Sequence, residues 1–154
     1  MPYRTIVLAY DGSEDGRRAL LEGAELAKRF KAKTHLLAVI KDDAGAALAQ
    51  AYVATPPGDN TVFHQNTLRD GVKFLKGHGL EVTGHVVRGD PVTEIVKLAQ
   101  EVKADLVVVG HRERGLLEKW WTTPTSMSLL EKIDCSLLIG MHDADTRVLQ
   151  TDGK

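Results

Sequence analysis

The pattern of apolar and polar residues divides the chain into short apolar runs and longer segments with apolar residues at helical spacing. The apolar runs span residues 5–10, 34–40, 80–87, 105–110 and 136–139. A short continuous apolar run predicts a strand covered on both faces, and apolar residues three or four positions apart predict an amphipathic helix. The alternation predicts one α/β domain with a doubly wound, five-stranded parallel sheet and helices on both faces. The run 80–87 alternates more, so we expect it nearer an edge of the sheet.

Capping residues mark where the helices begin. Asp90 followed by Pro91 predicts a helix start, with the aspartate as N-cap and the proline at the first helical position. Ser13 is the expected N-cap after the first strand, and the Thr-Pro pair at 123–124 repeats the start signal before the last strand. A further helix is predicted over residues 61–76. Helical spacing predicts these inward-facing residues: Ala19, Leu20, Ala24, Ala27, Phe30, Phe63, Leu68, Val72, Leu75, Ile95, Leu98, Ala99, Val102, Leu129, Leu130 and Ile133.

Two segments lack a clear pattern. Residues 41–60 predict a long loop, with or without one short helix, and loops of this length are often functional. Residues 141–154 are polar and predict a disordered tail. The predicted domain therefore covers residues 1–140.

Composition and charge exclude several classes of partner. The chain has 154 residues, and its 20 basic and 21 acidic side chains leave a net charge of -1, without the basic excess typical of nucleic-acid binding. No apolar run reaches the roughly 18 residues of a membrane helix, and the N-terminus lacks a signal-peptide pattern. Cys135 is the only cysteine, so no intramolecular disulfide can form and a reducing compartment fits best. We expect a cytoplasmic protein with no membrane or nucleic-acid partner.

The residues that could perform chemistry form no familiar catalytic motif. The chain lacks the Gly-x-x-x-x-Gly-Lys-Ser/Thr loop of P-loop enzymes, a Gly-x-Gly-x-x-Gly turn after the first strand, and the Gly-x-Ser-x-Gly elbow of α/β hydrolases. None of the six histidines has metal-type spacing with a second ligand, so no metal is expected. Cys135 is interpreted as a buried or half-buried structural thiol. These absences predict a non-enzymatic protein.

Three stretches, taken in order, resemble the universal stress protein family. They are residues 8–14 (LAYDGSE), residues 87–91 (VRGDP) followed by Ile95 and Ala99, and residues 105–110 (DLVVVG) with 135–139 (CSLLI). The resemblance extends to Gly140, with residues 41–60 as its variable part. It implies a Rossmann-like fold of the adenine nucleotide alpha hydrolase type. It also implies a cytoplasmic stress-response module that is a homodimer through the last strand.

The resemblance further implies a nucleotide pocket at the carboxyl ends of the strands, where ligands of such sheets bind. Members that bind ATP carry Gly, two residues, Gly, nine residues, Gly and Ser or Thr after the fourth strand. Small residues there allow backbone N–H groups to approach phosphate. This chain keeps Gly110, but Glu113, Thr123 and Pro124 stand at the other three positions. The phosphate motif is therefore degenerate. The open alternatives are a sensor that binds ATP with Mg²⁺ or AMP, with slow hydrolysis or none, and a protein that binds no nucleotide.

Candidate site residues follow from this alignment. In binding relatives, the carboxylate at the position of Asp11 lies beside the nucleoside, and the backbone at the position of Val39 contacts adenine. Ser126 offers a hydroxyl near the phosphate position, and Arg112 and Arg114 could compensate for Glu113. The implied nucleotide-binding candidates are Ala9, Asp11, Val39, Gly110, Arg112 and Ser126.

The segment after Gly110 also holds candidates for contacts with a partner. Trp120 and Trp121 are adjacent, so both cannot easily point inward from one short segment. They either anchor the loop on the core, cover or stack on a ligand, or meet a protein partner. His111 and Arg114 flank the same pocket. Switching of this loop by a ligand or partner is the expected mechanism, and a protein-interaction module that has lost nucleotide binding is the alternative.

Overall fold

The computed structural model describes residues 3–10, 14–41, 60–111 and 129–141. Its described strands form one five-stranded parallel sheet in the order β3-β2-β1-β4-β5. The strands are β1 (Thr5–Ala9), β2 (Lys33–Lys41), β3 (Val82–Gly89), β4 (Leu106–His111) and β5 (Ser136–Met141). The helices are α1 (Glu14–Phe30), α2 (Asn60–Gly77), α3 (Pro91–Glu101) and α4 (Leu129–Lys132). The predicted doubly wound α/β fold is confirmed, with β3 at an edge as expected.

The sheet separates two apolar layers, because successive side chains of a strand point to opposite faces. Ile6 and Leu8 of β1 pack with the inward residues of α1 and α2, including Leu20 and Leu75. Val7 packs on the other face with α3 and α4. These residues of β1 are fully buried. Each such side chain contributes about 1.5–3 kcal/mol when it leaves water.

Most inward-facing predictions are confirmed, and two are wrong. Phe30 is 38% exposed, because it lies at the end of α1 and packs edge-to-face on Tyr3, with 5.3 Å between the ring centroids. Leu130 is 51% exposed, whereas its neighbour Leu129 is buried. The Phe63 side chain lies outside the described residues. No described helix has both the length and the apolar character of a membrane span.

Backbone hydrogen bonds at the helix ends explain where the flanking strands begin. At the end of α2, the Leu80 N–H donates to the Leu75 carbonyl at 3.3 Å around Gly79, whose φ is 82°. This is the left-handed C-terminal cap for which glycine is favoured. Leu80 therefore closes α2, and β3 begins at Val82, two residues later than predicted.

The ends of α1 and α3 use the same cap with a lysine in place of glycine. Lys31 and Lys103 both have φ of 52°. The Ala32 N–H donates to the Ala27 carbonyl at 2.9 Å across Lys31. The left-handed conformation is about 1–2 kcal/mol less favourable for a residue with a Cβ atom. At its other end, α3 has the predicted N-cap, since the Asp90 carboxylate accepts from the Thr93 N–H at 2.9 Å.

The amino edge of the sheet is held together at Asp105, just before β4. Its Oδ2 accepts from the backbone N–H groups of Arg4 at 2.7 Å and Thr5 at 2.9 Å. Its own N–H donates to the Thr5 carbonyl, and its carbonyl accepts from Ser136. The Arg4 N–H, followed by the Thr5 N–H, lowers the pKa of the Asp105 carboxyl below its ordinary value of 3.8. Asp105 thus aligns the starts of β1, β4 and β5.

We predict that Lys31→Gly raises the free energy of unfolding by about 0.5–1 kcal/mol, because relief of the left-handed strain exceeds the entropy cost of glycine. Urea unfolding measures the change. Lys28→Gly is the matched control, since Lys28 lies in the last turn of α1 and glycine within a helix is destabilising. An equal loss of stability in both variants would contradict the assignment of a left-handed cap.

We predict that Asp105→Asn lowers the stability of the protein at neutral pH, because the charged acceptor of two backbone N–H groups is lost. The pKa of Asp105 is depressed in the folded state, so its contribution is present above pH 3.8 and disappears as pH falls through the lower folded value. The urea midpoints of the wild type and of Asp105→Asn should therefore converge in acid. Asp134→Asn, at an exposed position on the same edge, is the control and should lose less stability at neutral pH.

Candidate functional site

Among the described residues, β1 ends before its two neighbours at the carboxyl edge of the sheet. Ala9 is the last residue of β1 and pairs with Leu37 of β2 and Val109 of β4. Strand β2 continues to Lys41 beside β3, and β4 continues to His111 beside β5. The carboxyl-edge notch, defined by Ala9, Val39 and Gly110, therefore lies at the point where the strand order reverses. Crevices at this point of open α/β sheets bind ligands.

The backbone of Val39 faces this notch. The Tyr10 N–H donates to the Leu37 carbonyl at 2.9 Å, so the polar backbone groups of Leu37 point toward β1. Residues two apart in a strand direct their backbone groups to the same side. The N–H and C=O of Val39 consequently point past the end of the described part of β1. One donor and one acceptor side by side suit a planar heterocycle such as adenine, which has an amino donor beside a ring-nitrogen acceptor.

The floor of the notch is formed by apolar side chains on the face of the sheet that α3 covers. Ala9 and Val39 both pack at the border of that apolar layer and are half-buried. Tyr10 points to the opposite face, is 7% exposed, and packs against Gly71 of α2. An apolar floor next to backbone polar groups is the usual lining of a site for a small ligand.

The far wall of the notch is formed by Gly110 and His111, which are the last residues of β4. The prediction that His111 lies in a loop is wrong, because β4 extends to His111, which pairs with Met141. Strand β5 likewise extends two residues beyond its predicted end at Ile139. Gly110 pairs with Gly140, and a Cβ on Gly140 would lie 3.2 Å from the Cβ of Ala19 in α1. Gly140 was not among the predicted site residues. A glycine within an apolar strand was the signal in the sequence that could have indicated this close approach to α1.

The structure thus brings together three of the sequence-predicted site residues, namely Ala9, Val39 and Gly110. Several other predictions fall on residues that the structure does not describe, namely residues 11–13, 42–59, 112–128 and 142–154. The candidate residues in this group are Asp11, Arg112, Arg114, Trp120, Trp121 and Ser126.

A concave region that the sequence did not predict lies at the opposite, amino edge of the sheet. This amino-edge groove has a volume of about 810 Å³ and is lined by Lys28, Lys31, Lys33, His35 and Glu81, among others. Its cationic side chains come from the end of α1 and the start of β2. The groove differs from the carboxyl-edge notch in having no strand that stops short between longer neighbours.

A pair of histidines adjoins this groove. His35 Nδ1 and His85 Nε2 are 3.0 Å apart, joined by a hydrogen bond in which one ring donates its N–H and the other accepts. Burial lowers the pKa of His35, and the neighbouring His85 and Lys33 lower it further. Fifty residues separate the two histidines in sequence, so their meeting depends on the register of β2 and β3. Among the described residues, no group of three or more His, Cys, Asp or Glu side chains could hold a metal ion.

Cys135 is half-buried, in agreement with the interpretation as a structural thiol. Burial raises the pKa of its thiol, and the carboxylates of Asp134 and Asp105 raise it further, against a smaller opposing effect of a backbone hydrogen bond from Val107. A raised pKa keeps the sulfur protonated at neutral pH, where the thiolate is the reactive form.

Comparison with known protein sequences finds a family model and relatives that are all described as stress proteins. A model of the universal stress protein family matches residues 2–139. The chain is similar to a universal stress protein of Methanocaldococcus jannaschii, with 23% identity over 145 residues covering 89% of the chain and 81% of the relative. It is also similar to the stress response protein NhaX of Bacillus subtilis, with 24% identity covering 87% and 95% of the two chains.

Solved structures share the fold. One is a universal stress protein in complex with cAMP, with a TM-score of 0.68, 23% identity, and coverage of 92% of this chain and 99% of that chain. Another is the universal stress protein from Archaeoglobus fulgidus in complex with dAMP, with a TM-score of 0.64, 22% identity, and coverage of 90% and 98%.

Proposed function

This chain belongs to the universal stress protein family, and we propose that it is a non-enzymatic binding and signalling module that takes an adenine nucleotide in its carboxyl-edge notch. The observation that carries the proposal is the backbone of Val39, which points its donor and acceptor past the end of β1. Two proteins of the same fold are solved with cAMP and with dAMP. Both ligands carry adenine and a single phosphate group.

We propose a nucleoside monophosphate rather than ATP with Mg²⁺. The residues after Gly110 place Glu113, Thr123 and Pro124 where ATP-binding relatives have small or hydroxyl residues. Glu113 adds a negative charge near the phosphates, and Pro124 has no backbone N–H to donate. A single phosphate needs fewer backbone donors than a triphosphate, so the loss of this motif weakens ATP binding more than AMP binding.

The proposal of binding without turnover is supported by the absence from the sequence of the phosphate-binding and nucleophile motifs of the common α/β enzymes. The single cysteine supports a location in the reducing cytoplasm. The proposed output is a change in the segment after Gly110 when the notch is filled, read by a protein partner.

We further propose a homodimer in which β5 pairs across a two-fold axis. Strand β5 lies at an edge of the sheet, and its Leu137, Leu138 and Ile139 are each only half-buried in the single chain. An apolar edge strand with free pairing capacity is a template for association. The same surface patch on both copies gives the closed contact of a two-fold dimer.

Nucleotide binding is tested by Ala9→Leu, which fills the floor of the notch. We expect the affinity for AMP or cAMP, measured by calorimetry, to fall at least about tenfold, equivalent to roughly 1.4 kcal/mol. Ala104→Leu is the matched control, because Ala104 is a half-buried alanine that packs on the same apolar layer before the start of β4. It should leave the affinity unchanged.

Two results would overturn the proposed site. One is a wild-type protein that releases no nucleotide on heating and gives no calorimetric signal with AMP, cAMP or ATP. The other is equal affinity in the Ala9→Leu and wild-type proteins. Tighter binding of ATP with Mg²⁺ than of AMP would reject the preference for a monophosphate while keeping the site.

The dimer is tested by Ile139→Lys, which places a charge on β5. We expect light scattering after size exclusion to show the wild type as a dimer and the variant as a monomer, because the lysine would be desolvated in the pairing surface. Val87→Lys is the control, since Val87 is equally half-buried on the same face but lies on β3 at the opposite edge. A dimer in Ile139→Lys and a monomer in Val87→Lys would place the interface at the wrong edge.

A further inference from the structure

The hydrogen bond between His35 and His85 joins the edge strand β3 to its neighbour β2. His35 is in register with Thr83, and His85 lies two residues further along β3. Both rings lie on the face of the sheet that α3 covers, because Leu37 of β2 packs in that layer. The ring centroids are 5.2 Å apart and the bonded nitrogens are 3.0 Å apart. Within the described part of the chain, β3 has β2 as its strand partner, so this bond acts on a strand that is held from one side.

The bond persists with one added proton but not with two. When both rings are neutral, one inner nitrogen donates its N–H and the other accepts with its lone pair. A first added proton goes to the outer nitrogen of the donating ring, which leaves the bond in place and makes it charge-assisted. A second proton can go only to the accepting nitrogen, because the other nitrogen of that ring already carries one. Two N–H groups and two positive charges then face each other.

His35 is the ring that receives the second proton. Burial lowers the pKa of His35, and the neighbouring His85 and Lys33 lower it further. His85 is therefore the donating ring when the pair holds one added proton, and His35 Nδ1 accepts. Protonation of this nitrogen removes the lone pair on which the bond between the strands depends.

The charged surroundings of the pair oppose a second positive charge. The charged side chains that line the amino-edge groove beside His35 are Lys28, Lys31, Lys33 and Glu81. Helix α3 presents Val102 to this groove. The titratable side chains of α3 are Glu94, which contacts Gly89 at the other end of β3, and the exposed Lys97 and Glu101. Helix α2 packs on the opposite face of the sheet. Three ammonium groups against one carboxylate make the groove net positive, which disfavours a doubly protonated pair.

Strand β3 also holds the backbone that carries the proposed nucleotide contact. The pairing of β2 with β1 ends at Leu37, whereas its pairing with β3 continues to Lys41. The backbone groups of Ala38 point toward β3, because those of Leu37 point toward β1. Val39 itself is in register with Val87 of β3. Among the described residues, β3 is thus the strand that fixes the position of Val39.

We propose that the His35–His85 pair is an acid-sensitive contact that holds β3 against β2 at neutral pH and releases it when both rings are protonated. Release of β3 displaces Val39 and weakens nucleotide binding, and this second effect rests on the proposed function. Between the lowered pKa of His35 and its ordinary value of 6.5, the folded pair binds fewer protons than the unfolded chain. Its contribution to stability is therefore complete above pH 6.5 and is lost as pH falls toward the lowered pKa.

Hydrogen exchange of the wild-type protein at about pH 7.5 and about pH 5.5 tests the contact without a variant. We expect the protection of the β3 amides, corrected for intrinsic exchange rates, to fall in acid relative to that of the β4 amides. Strand β4 is the internal reference, because it pairs with β1 and β5 and not with the strands of the pair. An unchanged ratio of β3 to β4 protection would overturn the proposal.

Urea unfolding of His35→Gln over the same pH range tests the proton count. We expect the unfolding constant of the wild type to rise more steeply with falling pH than that of the variant, by at most about tenfold per pH unit, the effect of one proton. His78→Gln is the matched control, because the His78 Nδ1–H donates to the Phe74 carbonyl, away from the pair. It should keep the steeper slope. Equal slopes in the wild type and His35→Gln would contradict the role of the pair.

Calorimetry with cAMP at the same two pH values tests the effect on the notch. The phosphodiester of cAMP keeps its charge in this range, whereas the phosphate of AMP does not. We expect the affinity of the wild type to fall at least about threefold in acid and that of His35→Gln to change less. Loss of β3 protection with constant cAMP affinity would reject the link to Val39. A wild type that binds no nucleotide at either pH rejects the proposed function, whereas hydrogen exchange and urea unfolding decide on the contact without nucleotide.

Discussion

The structure depends on β1, a strand of five residues at the centre of the sheet. Its inner residues Ile6, Val7 and Leu8 are fully buried, because helices cover both faces and strands flank both sides. Such a strand must be apolar at every inner position, and it can be short because each of these three inner residues loses all contact with water. Strand β2 pairs with β1 on one side and β4 pairs with it on the other.

The shortness of β1 also creates the candidate site. Strands β2 and β4 continue past Ala9, and within the described ranges β1 offers their backbones no strand partner beyond that residue. The short strand β1 that fills the centre of the core is therefore also the reason that backbone N–H and C=O groups of its neighbours point outward at the carboxyl edge. Val39 is the clearest case, because its orientation follows from the hydrogen bond between Tyr10 and Leu37. Recognition by the main chain needs no particular side chain, so relatives of low sequence identity can share it.

The two edges of the sheet have different roles. At the amino edge, Asp105 joins the starts of three strands, and left-handed caps at Lys31 and Lys103 return the chain from helix to strand. These contacts stabilise the edge. The hydrogen bond between the half-buried His35 and His85 rings also lies toward this edge. At the carboxyl edge the described strands end at different lengths.

The sequence by itself determined the order of strands and helices, the edge position of β3 and the cap at Asp90, because each depends on neighbouring residues. The resemblance to the family also indicated Ala9 and Gly110, which lie in its short motifs, and Val39, which aligns with the position whose backbone contacts adenine in binding relatives. Only the tertiary structure decided how far each strand runs and which residues meet across the sheet. The extension of β4 to His111 and the contact of His35 with His85 depend on the register of parallel strands. That register joins strands that are far apart in sequence, so it cannot be deduced from the residues of either strand alone.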